Sequence, residues 1–78
     1  ETITNIEKAL TEVKTGSFSE ARLHLNSART SAEKVTGNEA ILSQANALVI
    51  QGQIEAKKGN VKESTDHLNK ALGFYKSL

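Results

Sequence analysis

The side chains best suited to coordinate an ion are two histidines, and each has a carboxylate one helical turn before it. Glu20 precedes His24 by four residues, and Glu63 precedes His67 by four. In a helix this spacing stacks the carboxylate and the imidazole on one face. Imidazole with carboxylate is a donor set for a borderline divalent ion such as Cu²⁺, Ni²⁺ or Zn²⁺, with water completing the shell. Two protein ligands make an open, weak site, because a structural zinc takes four. The competing reading is an ordinary surface contact between Glu and His, and no cofactor is required. The two histidines share one ion only if their helices are neighbours; on diagonal helices they stay apart.

Other chemistries find no support. The chain has no cysteine, so there is no thiolate and no disulfide. It lacks the Gly-x-Ser-x-Gly elbow and the Gly-x4-Gly-Lys phosphate loop. Its carboxylates alternate with lysines at solvent-face spacing, whereas acid–base catalysis needs one desolvated member. Glu55, beside Gly52 and Ala56, comes closest to an exception. The expectation is a protein that is not an enzyme. Ten basic residues against nine acidic ones leave a net charge of +1. The basic cluster Lys57, Lys58 and Lys62 has no aromatic platform beside it, which argues against nucleic acid. The longest strongly apolar run, residues 47–50, is far below the roughly 20 residues of a membrane span. The chain starts at Glu1 rather than Met, an expectation for an exported, processed chain, periplasmic or secreted. A cytoplasmic location is the alternative.

Helices must position these residues, and the apolar spacing sets out four. Ile3, Ile6, Leu10 and Val13 make one stripe. Phe18, Ala21, Leu25, Ala28, Ala32 and Val35 make a second, and Ile41, Ala45, Leu48, Val49, Gly52 and Ala56 a third. Val61, Ser64, Leu68, Ala71, Tyr75 and Leu78 make the fourth. The absence of proline suits uninterrupted helices. Gly16, Gly37 and Gly59 are expected just past the first three helices, as left-handed C-terminal residues. Ser17 with Glu20, and Asn60 with Glu63, read as capping boxes, and Asn38 as an N-cap. Connections of two or three residues would make successive helices antiparallel. The expected fold is all-α: one domain, residues 1–78, an up-down four-helix bundle of two hairpins, 1–36 and 38–78.

The hairpins repeat one another. A shift of 43 residues lays Glu12 on Glu55, Lys14 on Lys57, Gly16 on Gly59 and Glu20 on Glu63. It also lays His24-Leu25-Asn26 on His67-Leu68-Asn69, and Ala28 on Ala71. Gly16, Phe18, Glu20, Ala21, Leu25 and Ala28, and then Gly52, Gly59, Val61, Leu68, Ala71 and Leu72, resemble the tetratricopeptide pattern around its inter-helix turn. The Gly16–His24 and Gly59–His67 spacings, with the Gly37-Asn38 link, resemble the small His-rich metal-binding proteins of the bacterial periplasm. That second resemblance implies a four-helix bundle of two similar hairpins that binds divalent metal ions. This chain carries two histidines.

One helix has a second apolar strip. Ala47, Ile50 and Ile54 point more than about 100° away from the Ile41 and Gly52 side, where a surface helix is normally polar. Leu23 is also off its own stripe, and Phe74 lies at the edge of the fourth. Exposed apolar patches mark interfaces, so Ala47, Ile50, Ile54 and Leu23 are candidates for contact with a protein partner or a second copy. The alternative is a third helix that sits more centrally in a lopsided bundle. A small chain without disulfides draws its stability from helix packing, a metal or a partner. The leading expectation is a helical binding or scaffold module, with divalent-metal binding as the alternative.

Overall fold

Each helix turns to the interior the stripe that its spacing defines. The structure, a computed structural model, describes residues 1–78. Helix α1 (Thr2–Lys14) buries Ile6, Ala9, Leu10 and Val13, and α2 (Phe18–Ala32) buries Ala21, Leu25 and Ala28. Helix α3 (Glu39–Lys57) buries Ala45, Val49, Gly52 and Ala56, and α4 (Val61–Lys76) buries Ser64, Leu68, Ala71 and Tyr75. Burial also raises the pKa of the Tyr75 phenol, because the charged form is the one that loses hydration. Helix α1 packs on α2 and α4, and α3 packs on α4 and α2, which leaves α1/α3 and α2/α4 as the diagonals. The result is an antiparallel four-helix bundle of 33 × 18 × 16 Å.

The two hairpin turns are twins. Gly16 and Gly59 both adopt φ of +80°, a conformation that costs a residue with a Cβ about 1–2 kcal/mol. In each turn the glycine N–H donates to the carbonyl three residues back, Gly16 to Val13 and Gly59 to Ala56. The next N–H reaches five back, Ser17 to Glu12 at 2.8 Å and Asn60 to Glu55 at 2.9 Å. This is the Schellman pairing, which satisfies carbonyls that the helix end leaves free.

The middle connection departs from the expectation. Helix α2 stops at Ala32, short of Val35, and residues 33–38 form a longer link. The chain leaves α2 through tight turns, with the Glu33, Lys34 and Val35 N–H groups each donating three residues back. Gly37 therefore stands away from the helix end, at φ +149°. Asn38 caps α3 as expected, its side-chain oxygen accepting from the Ala40 and Ile41 N–H groups at 3.0 and 3.2 Å. The capping boxes do not form: neither the Ser17 nor the Asn60 side chain bonds its own helix start. Ser17 instead approaches the Thr15 hydroxyl, and Asn60 donates to Glu55 at 2.8 Å.

Candidate functional site

The imidazole–carboxylate geometry differs from the expected one. His24 pairs across the hairpin with Glu12 of α1, Nδ1 to Oε1 at 2.5 Å, and not with Glu20 on its own helix. The ring N–H donates and the carboxylate accepts. Both side chains are largely sheltered, at 33% and 21% exposure, so the contact is better insulated than a surface pair. Glu20 is exposed. The reason is rotational: His24 stands on the flank of α2 that meets α1, while Glu20 lies nearer the outer face. His67 is half-buried on α4, its Nδ1 enclosed without a protein partner, and Glu63 is exposed. Glu55, the repeat counterpart of Glu12, is engaged by Asn60 instead. Since α2 and α4 are a diagonal pair, His24 and His67 lie on separate flanks. Glu20, Glu63 and the histidines form no cluster of three or more donors.

The apolar candidates divide into two regions. Leu23 is 66% exposed and borders a polar depression with Glu1, Asn5, Ser27 and Thr30. Ile50 is half-buried and Ile54 is 48% exposed; both line a groove of about 500 Å³ between α2 and α3. Ala47 is exposed one turn before Ile50 and lies outside that groove. The groove floor is Phe18, Leu25 and Ala56, and the walls carry Arg22, Arg29 and Lys57. Gln53 braces it, accepting from Arg29 Nη1 at 3.2 Å and donating to Asn26 Oδ1 at 2.8 Å.

The repeat gives this groove a counterpart. The hairpins meet twice, through α2 with α3 and through α4 with α1, and the 43-residue shift relates the two junctions. Where the groove has Arg29 opposite Gln53, the other junction has Leu72 and Leu10. Where the groove has Ile50, Ile54 and Arg22, the other has Glu7, Thr11 and Thr65. Glu7 pairs with Lys76 at 3.6 Å, and Leu10 and Leu72 sit one turn from that pair on their helices. The α1–α4 contact is the more extensive of the two. The α2–α3 junction is also packed and is crossed by the Gln53 hydrogen bonds, but a groove runs along its outer side.

No protein-family model, curated protein or solved structure matches the chain. The site therefore rests on its own geometry. Glu12 was visible as one of the repeat identities. Arg22 and Arg29, seven residues apart on one flank of α2, also carried a signal, but only in combination with the strip on α3.

Proposed function

We propose that this chain is a non-catalytic helical binding module that takes a protein partner in the groove between α2 and α3. One observation carries the reading: of two repeat-related junctions, the one holding Ile50 and Ile54 bears an open groove, while its counterpart has leucines at the positions of Gln53 and Arg29. Apolar side chains exposed along such a groove gain further burial only when something else fills it. Helix pairs with such a seam receive a third helix by laying its apolar face between them. The test is to pan a random peptide library against the folded chain and map the selected peptides by amide chemical shifts. Perturbations clustered on residues 18–29 and 50–57 are expected. Selection of no peptide, or shifts confined to the α1–α4 face, overturns the reading.

A second reading, divalent-ion binding, is favoured by the sheltered His24–Glu12 pair. Under it, Glu12 replaces Glu20 as the carboxylate ligand, and Cu²⁺, Ni²⁺ or Zn²⁺ takes the place of the Nδ1 proton, which the neutral ring then carries on Nε2. Calorimetric titration with Cu²⁺ tests it. Micromolar binding that vanishes in His24→Gln is expected; unchanged binding in that variant ends this reading.

A further inference from the structure

We infer that the occupant of the α2–α3 groove is an acidic amphipathic helix of another protein, with two carboxylates seven residues apart flanking an apolar pair. The inference rests on the docking reading above and adds the chemistry of the partner. Three cations line the groove and no carboxylate does. The net charge of the whole chain is only +1, so this is a local excess rather than a general basic character. None of Arg22, Arg29 and Lys57 is in an ion pair, and Glu33, which borders the neighbouring depressions with Arg29, makes no direct contact with it. The only observed engagement among them is that of Arg29 with Gln53, which holds the guanidinium in place while leaving donors free.

Position distinguishes a helix from other anionic occupants. Arg22 and Arg29 stand two turns apart, about 10 Å along α2. A single headgroup or phosphate calls for cations gathered at one point, but these are spread along the wall. Leu25 lies between them in the floor, and Ile50 and Ile54 face it from α3. A bilayer surface meets several protruding apolar side chains, whereas here Ile54 alone is prominently exposed and Leu25 and Ala56 are buried. A helix presenting Glu at i and i+7 and Leu at i+3 and i+4 matches the charges and the floor together.

Fluorescence anisotropy with a labelled peptide of about fourteen residues, four helical turns, built on that pattern tests the inference against the full chain. A control peptide has Lys in place of Glu. The acidic peptide is expected to bind at least about tenfold more tightly than the basic one, with added salt weakening it. Arg22→Glu combined with Arg29→Glu should reverse the preference, and Arg22→Gln with Arg29→Gln should abolish it. Circular dichroism melts confirm that both variants fold. Equal binding of the two peptides, or a preference unmoved by the reversal, overturns the acidic partner while the library test still stands for the docking site. Binding to phosphatidylglycerol vesicles without binding to the acidic peptide overturns it in favour of a lipid surface. A wild-type dimer in sedimentation that Ile54→Glu disperses overturns it in favour of a second copy.

Discussion

The two junctions between the hairpins are built from corresponding positions of one repeat, yet they do opposite things. At the α1–α4 junction, Leu10 belongs to the core and Leu72 packs against it, and Glu7 pairs with Lys76. At the α2–α3 junction the same places hold Gln53 and Arg29, joined only by a 3.2 Å hydrogen bond, and isoleucines replace Glu7 and Thr11. Polar residues stand where the first junction is apolar, and apolar residues stand where it is polar. Such an inversion keeps the hairpins together on one side and leaves a lined seam on the other. A merely weak interface would have lost leucines without gaining isoleucines at the rim.

Exchanging the residues is the strongest way to break this comparison. Leu10→Gln with Leu72→Arg places the groove's polar pair in the closed junction, and a loss of about 3 kcal/mol or more is expected in urea denaturation. The reciprocal change, Gln53→Leu with Arg29→Leu, should stabilise by up to about 1 kcal/mol and lose the acidic peptide. A destabilised reciprocal variant would mean that the Gln53–Arg29 bridge already carries the α2–α3 junction.

Inside the hairpins the next contrast is between Gly52 and its counterpart Ala9. A Cβ at Gly52 would stand 2.7 Å from Leu68, and the Ser64 hydroxyl donates to the Gly52 carbonyl at 2.7 Å, so the α3–α4 hairpin needs that close approach. Gly52→Ala should cost about 1–3 kcal/mol in thermal melts even though alanine is the better helix former. Ala9→Gly should cost about 2 kcal/mol without any steric clash, about half from propensity and half from the lost buried methyl. Next come the twin turns. Neither Gly16 nor Gly59 has a neighbour within 4 Å of an added Cβ, so only backbone strain opposes alanine there. Each change should lose about 1 kcal/mol by chemical denaturation, equally in the two hairpins. Unequal losses would show that the repeat has diverged at its turns as well as at its junctions. The smallest effect belongs to Lys76→Gln, at most about 0.5 kcal/mol and erased by salt, because both partners in that pair are about half exposed.

Much of the fold was legible because helix burial follows spacing. Ile6, Leu10, Val13, Leu25, Val49 and Leu68 fall where their three- and four-residue steps place them. The end of α2 was not legible, because the apolar spacing continues to Val35 while the backbone has already left the helix after Ala32. Side-chain partners were harder still. Glu20 and His24 satisfy the one-turn rule within α2, but a rule for an isolated helix ignores Glu12 arriving from α1. The isoleucine strip on α3 was visible in the sequence. Its association with Arg22 and Arg29, and its separation from Leu23, depend on which helix lies beside which, and periodicity along one chain does not encode that.

The link at residues 33–38 gives the asymmetry a topological meaning. It ties α2 to α3 covalently, so those helices remain at high effective concentration however little their side chains attract. Helices α1 and α4 have no such tether and are held together by packing alone. The groove thus lies on the tethered side, where widening it cannot let the hairpins diffuse apart. A circular permutant joining residue 78 to residue 1 and cut within 33–38 would move the tether to the leucine side. The groove would then have to hold itself together, and its occupant would become a clasp.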